Sequence, residues 1–143
     1  MNQTDTTLFD KQIEVRWADC DANQHMRHTA YSDFCAHTRI AFMNSIGLTQ
    51  AWSQEHRMGP VLFREETEYR QEAHMGDLLR VTVEVGLATG FSKSIRMQQH
   101  LYTKQGEVAA VHHCVIGWMD LDKRKIVELP ESIRTRFPVE VSA

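Results

Sequence analysis

Apolar and polar residues alternate one by one along most of this chain, and the period lengthens once, between Tyr31 and Ile46. Before that change Ile13, Val15 and Trp17 alternate with Glu14 and Arg16, the pattern of a strand with one buried face, after a polar start from Met1 to Phe9 expected to fray. Tyr31, Phe34, Cys35, Thr38, Ala41, Phe42 and Ile46 then recur at three- and four-residue spacing, with Asp33, His37, Arg39 and Asn44 off the stripe. The spacing predicts a helix of about four turns. His28 or Thr29 falls near its N-cap and Gly47 at its stop. The stripe is nearly all apolar and strands surround it in sequence, so this helix is expected to be buried and central.

Past it, Leu48 to Gly59 has no strong period and reads as a loop or short helix. Pro60 opens an extended run from Val61 to Ala73, with Val61, Phe63, Thr67 and Tyr69 on one parity and Arg64, Glu66, Glu68 and Arg70 on the other. Met75-Gly76-Asp77 turns the chain into the clearest strand, Leu79, Val81, Val83, Val85 and Leu87, which Thr89-Gly90 ends. Ile95, Met97, Gln99 and Leu101 form the next strand, Lys104 to Glu107 a hairpin turn, and Val108 to Asp120 the last long strand. Ile126 to Leu129 adds a short edge, and Pro130 at a first helical position with Glu131 behind it starts a terminal helical turn reaching Phe137. Strand, helix, then hairpin-linked strands predict an α+β fold in which one antiparallel sheet of about five strands curls around one helix. Such a sheet leaves an edge and an apolar rim to cover, so self-association is expected.

Length and composition narrow the function. At 143 residues and 42% hydrophobic content, one domain spanning 1–143 is expected. A net charge of -3 offers no broad attraction to phosphate backbones or anionic lipid, so neither nucleic acid nor a membrane is an expected partner. No run approaches the length of a membrane span and the start lacks the pattern of a secretory signal, which points to the cytoplasm. Cys20, Cys35 and Cys114 are scattered and odd in number, which reads as reduced thiols.

Chemistry concentrates between Trp17 and Phe34. Asp19, Asp21, Asn23, His25 and His28 crowd directly ahead of the helix, where backbone N–H groups lack partners. Turn formation and capping call for the same residue types. His25 and His28 precede the helix, and His112 and His113 fall on opposite faces of a strand, so no third metal ligand is evident and no metal site is expected. Asp19 and Asp21 flank Cys20 and disfavour its thiolate. If Asp19 and Asp21 faced one pocket, one carboxyl would titrate higher. In a straight strand Glu65 shares the parity of Phe63 and Tyr69 and is buried, while Glu72 lies outside; a bulge would exchange them.

A-D-C-D-A-N-Q-H ahead of H-T-A-Y-S-D-F, with Arg39 on the helix and M-G-D-L-L-R-V after the long strand, resembles the hotdog-fold acyl-CoA thioesterases of the 4-hydroxybenzoyl-CoA thioesterase group, from Ile13 to about Asp120. The resemblance implies that Asp21, the second Asp of D-x-D, is the catalytic carboxylate. It also implies that the N–H at the helix start, near His28, polarises the thioester carbonyl. Gln24-His25 stands where many members have Gly-His, and Met26-Arg27-His28 where they have Val-Asn-Asn. The first departure resembles the plant-type acyl-ACP thioesterases, whose D-x-N-Q-H lines up on Asp21, Asn23, Gln24 and His25. Their E-Y-R-x-E setting matches Glu72, although Ala73 replaces that family's Cys. The expected enzyme is a homo-oligomeric hotdog acyl-CoA thioesterase without metal or organic cofactor. In it Asp21 is base or nucleophile, Asn23 and His25 assist, and Glu72 is a further candidate. Ser92, Lys93, Ser94 and Arg96 are expected to meet the coenzyme A or pantetheine portion. The alternatives are an acyl-ACP thioesterase, a hotdog hydratase, whose N-P-x-H-x-D is not met here, and a non-catalytic acyl-thioester-binding module.

Overall fold

The computed structural model describes residues 7–85, 94–128 and 130–137. Strand β1 (Thr7–Glu14) leads through a 3-10 turn (Trp17–Asp19) to helix α1 (His28–Ser45) and the short helix α2 (Gln50–His56). Strands β2 (Met58–Tyr69), β3 (Leu78–Val85), β4 (Ile95–Tyr102), β5 (Val108–Asp120) and β6 (Lys125–Val127) follow, then helix α3 (Glu131–Arg134). Among the described residues the sheet has six strands in the order β1-β3-β4-β5-β2, with β6 on β5. Every pairing is antiparallel. The sixth strand is β6, the short edge expected at Ile126 to Leu129, and it pairs Lys125–Val127 with Trp118–Asp120. The hairpin at Thr89-Gly90, Leu87, Ser92 and Lys93 lie outside the described residues.

Helix α1 forms where the apolar period lengthens. It runs 18 residues, about five turns, one more than the stripe predicts. Arg27 is its N-cap without a side-chain cap bond, and the chain leaves it through Ile46 into Gly47 at φ +88°. Two apolar clusters pack against it. Around its first half Ala30, Tyr31, Phe34 and Cys35 meet Val15, Leu79, Val81 and Leu101; around its second half Phe42 and Met43 meet Trp52, Met97, Ile116, Trp118 and Phe137.

A polar layer lies on the face of α1 that carries both clusters. Arg39, which the stripe places outside, is only 7% exposed. Its Nη1 donates to Gln99 Oε1 at 3.0 Å, and Gln99 Nε2 donates to the Cys35 carbonyl at 3.0 Å. The stem of an arginine packs like an apolar chain while hydrogen bonds offset the desolvation of its head, so charge alone does not put it outside.

Two strand readings change. The start is not frayed throughout, since Thr7–Phe9 belong to β1 and pair with β3. Val15 is buried as expected, but β1 ends at Glu14 and the 3-10 turn swings Trp17 out to 81% exposure. Strand β2 ends at Tyr69 rather than Ala73 and carries a register shift between Leu62 and Arg64. Leu62, not Phe63, therefore shares the face of Glu65, Thr67 and Tyr69, which lie opposite Ile116, Cys114, His112 and Ala110. Strand β2 is also the edge of the sheet, and Leu62, Phe63 and Tyr69 on it are exposed.

A Cβ at Gly47 would lie 2.5 Å from Nη1 of Arg136, the group that donates to the Ile46 carbonyl at 3.1 Å. A Cβ at Gly76, also at positive φ, would meet nothing within 4 Å. Gly47→Ala is expected to cost about 1–3 kcal/mol in urea unfolding, from left-handed backbone strain together with displacement of the Arg136 guanidinium from the Ile46 carbonyl. Gly76→Ala should cost less, and equal losses would contradict the role given to Arg136.

Candidate active site

The segment before α1 is held by backbone bonds. Val15 N–H donates to the Asp77 carbonyl at 2.8 Å and Gly76 N–H to the Val15 carbonyl at 2.7 Å, tying the end of β1 to the β2–β3 connection. Asp19, 1% exposed, then takes three bonds from Arg16: the backbone N–H at 2.9 Å, Nε at 3.1 Å and Nη2 at 3.0 Å. The Arg16 guanidinium holds the Asp19 carboxyl below its ordinary value. Asp19 thus braces the turn and does not share a pocket with Asp21, which removes the basis for a coupled carboxyl pair.

The next residues make a tight polar turn. Asn23 N–H donates to Asp21 Oδ1 at 2.9 Å, Gln24 N–H to the Asp21 carbonyl at 3.0 Å and Asp21 N–H to the His25 carbonyl at 2.9 Å. Gln24 takes the left-handed conformation at φ 65°. Asp and Asn stabilise such a turn through their short side chains. Met26 N–H then bonds the Ala73 carbonyl at 2.7 Å, which sets this turn against residues 71–74.

Between the two segments lies a cavity of about 340 Å³ that Asp21, His25, His28 and Glu72 share, with Tyr31 and Tyr69 in its wall. His25 Nε2 is 3.2 Å from Glu72 Oε2. The first turn of α1, whose leading N–H groups have no intrahelical acceptor, begins at His28. The Tyr69 hydroxyl donates to the His28 carbonyl at 3.2 Å and the Tyr31 hydroxyl to the Gln71 carbonyl at 3.0 Å. Burial, reinforced by the charges of Glu72 and Asp21, pushes the Tyr31 phenol up. A carboxylate, a His–Glu pair and a helix N-terminus around one cavity can activate water and hold a developing oxyanion.

Not every expected residue joins them. Asn23 reaches Asp21 through its backbone and is not part of the cavity wall. Arg96 is exposed on β4, alternating with buried Ile95 and Met97, and Ser94 lies just before that strand. Glu72, placed outside by a straight-strand reading, lines the cavity because β2 has already ended. His112 is buried and His113 exposed, as the alternation implies. His25 comes within 4.8 Å of Glu72 and His74 in ligand-atom distance. Tyr31 and Tyr69 line the cavity and were missed as site residues. Tyr31 reads as part of the apolar stripe, and Tyr69 carried no signal beyond the E-Y-R-Q-E run itself.

A curled antiparallel sheet around one central helix, with a polar cavity at the helix N-terminus, defines a hotdog-fold protein. The chain belongs to the thioesterase-like superfamily, whose family model matches residues 15–137. This is a family of thioester hydrolases, the enzyme class expected from the sequence. The chain is 27% identical over 136 residues to the acyl-CoA thioester hydrolase YbgC of Escherichia coli O6:H1, covering 92% of this chain and 97% of that one. It is 26% identical to the long-chain acyl-CoA thioesterase FadM of Escherichia coli K12, covering 88% and 94%. Among solved structures, Staphylococcus aureus SAV2348 in complex with CoA superposes with a TM-score of 0.85 at 22% identity, covering 95% of this chain and 85% of that one. The 1,4-dihydroxy-2-naphthoyl-CoA thioesterase Slr0204 of Synechocystis superposes with a TM-score of 0.80 at 18% identity, covering 90% and 93%.

The Asp19 brace has a pH signature. Its folded pKa lies below the ordinary 3.8, so its stabilisation is present above that value and lost as pH falls through the folded pKa. Asp19→Asn is expected to lower the melting temperature at pH 7 and to flatten its fall on acidification below 3.8. Melting curves of both proteins that run parallel across this range would contradict the brace.

Proposed function

We propose that this protein hydrolyses an acyl-CoA thioester to the free acid and the CoA thiol, with Asp21 as base or nucleophile. The observation that carries the reading is the cavity that Asp21 shares with His25, Glu72 and the start of α1. As base, the Asp21 carboxylate takes a proton from water as the oxygen bonds to the thioester carbon. As nucleophile, it attacks that carbon itself and water later cleaves the anhydride. In both routes the carbonyl oxygen gains negative charge facing the N–H groups at His28, where the macrodipole contributes about half a positive charge. The carbon–sulfur bond then breaks and the sulfur takes up a proton.

Asn23 acts in this reading by fixing the Asp21 rotamer through its N–H. His25, paired with Glu72, assists in proton transfer. Ser92, Lys93, Ser94 and Arg96 are proposed to meet the coenzyme A portion from a neighbouring subunit. An acyl-ACP substrate is a second reading, favoured by the place of Glu72 beside His25 and by the similarity of D-x-N-Q-H to the plant-type enzymes. Self-association, as a dimer or tetramer, is proposed through the exposed β2 edge. We place the protein in a reducing compartment as one domain, in keeping with three unpaired cysteines. Among the described residues no helix is long and apolar enough to cross a membrane.

A panel of acyl-CoAs varied in chain length and aryl acid tests the reading by release of free thiol. Loss of enoyl absorbance without thiol would indicate a hydratase, and saturable binding without turnover a binding module. Asp21→Ala and Asp21→Asn are expected to lower kcat by about 100-fold or more. An unchanged kcat in Asp21→Ala would remove the mechanism. For the assembly, Phe63→Lys on the exposed edge is expected to shift the mass measured by light scattering toward the monomer, and an unaltered mass would place the contact elsewhere.

A further inference from the structure

We propose that His25, Glu72 and His74 form a binding site for a divalent transition-metal ion of the zinc class at the cavity mouth, and that the bound ion inhibits the enzyme. One ligand atom from each of the three residues lies within 4.8 Å of the others. His25 Nε2 and Glu72 Oε2 are already 3.2 Å apart. Two donors on a tetrahedral zinc ion, each at about 2.0–2.2 Å, stand roughly 3.3 Å from one another. The pair therefore sits within a few tenths of an ångström of the separation that one ion would impose, and the half-exposed His74 brings a third ligand atom within 4.8 Å of both.

The ligands are held by the backbone. The Met26 N–H to Ala73 carbonyl bond fixes the residue before Met26 against the residues on either side of Ala73, and the His25 ring stands edge-on to His74 at 5.2 Å between centroids. Asp77 stands behind His74. Its Oδ2 accepts the His74 backbone N–H at 2.8 Å and lies 3.8 Å from Nδ1 of the ring. At 3.8 Å the contact with the ring is electrostatic only, and the hydrogen bond to the backbone N–H is what positions His74. Two imidazoles and one carboxylate suit zinc, cobalt or nickel, whereas magnesium and calcium favour all-oxygen sets.

Inhibition rests on the proposed function and follows from the identity of the ligands. An ion on His25 and Glu72 occupies the lone pairs that would otherwise carry protons and puts a cation with its own water at the entrance to Asp21. His74 has no part in the proposed chemistry, so it can be removed without touching hydrolysis.

The test uses tag-free, chelator-stripped protein. Zinc alone is titrated by calorimetry, and cobalt is followed by the visible absorption of a tetrahedral site. Free acid is measured by chromatography, because the CoA thiol itself binds zinc. Expected are one ion per chain, an affinity about tenfold or more weaker in His74→Ala, and no change in His37→Ala, which removes an exposed histidine of α1. Acid release by the unaltered protein should fall along its zinc-binding curve. His74→Ala should turn over normally without metal and need about tenfold more zinc for the same loss. Absent binding, equal affinity in His74→Ala, or bound zinc that leaves acid release unchanged or raises it would overturn the proposal. The calorimetric arm reads the site whether or not Asp21 drives hydrolysis, so failure of the metal site and failure of the proposed reaction are told apart.

Discussion

The candidate site depends on one backbone hydrogen bond, from the Met26 N–H to the Ala73 carbonyl at 2.7 Å. Both residues are buried, so water does not compete for the bond. Its net worth is only about 0.5–1.5 kcal/mol. Its importance is positional. Once the polar turn is clipped to the β2–β3 connection, His25 lies beside Glu72 and the chain enters α1 at Arg27 and His28. The Tyr31 and Tyr69 hydroxyls add two ties between the same elements, one to Gln71 and one to His28. Asp19 anchors the other end of the turn, where its carbonyl accepts the Arg27 N–H at 2.8 Å.

The second constraint is the axial position of α1. Packing of apolar side chains alone would tolerate a slide along the sheet, because a helix presents similar ridges each turn, about 5.4 Å apart. The Arg39–Gln99–Cys35 connection does not tolerate it, since a slide of one turn leaves a buried guanidinium and a buried amide without partners. The polar layer thus sets where the N-terminus of α1 emerges. His112 belongs to this layer. Burial pushes its ring down to about 4, so it is neutral at pH 7. Its Nδ1 meets the Thr67 hydroxyl at 2.7 Å, while Nε2 has no hydrogen-bond partner among the described residues and faces Glu65 Oε1 at 3.5 Å.

Period-two and three-four patterns were enough to read β3, β4, β5, the helix and its stop at Gly47, because each is a local consequence of which face is buried. Three features were not legible for the same reason. Arg39 carries a charge, and a pattern that sorts charge outward cannot see a partner sixty positions away in Gln99. Trp17 follows Val15 at strand spacing, yet the Arg16–Asp19 bonds convert the strand to a 3-10 turn and send the indole outward. The bulge in β2 reverses the parity of Glu65 relative to Phe63 without any Gly or Pro at the register shift to announce it. Of the residues lining the candidate cavity, Asp21, His25 and His28 stand out in the sequence because they crowd before the helix. Glu72 came through resemblance alone, and Tyr69 required the fold, since nothing in the sequence says that residues 69–72 come back to residue 25.

The edge strand connects the fold to the proposed chemistry. Strand β2 runs 12 residues along the rim of the sheet, and its last residue, Tyr69, is part of the cavity wall. A long edge strand with exposed Leu62 and Phe63 favours a covering strand or chain. The same covering bears on the electrostatics. In the proposed reaction Asp21 and the helix N-terminus act on the thioester through charges and dipoles, whose strength falls as water fills the space between them. A second copy laid along β2 would reach the Tyr69 end of the cavity, exclude that water and raise the effect of the α1 dipole on the oxyanion. In the proposed enzyme, association through the edge and stabilisation of the transition state are therefore two results of one surface.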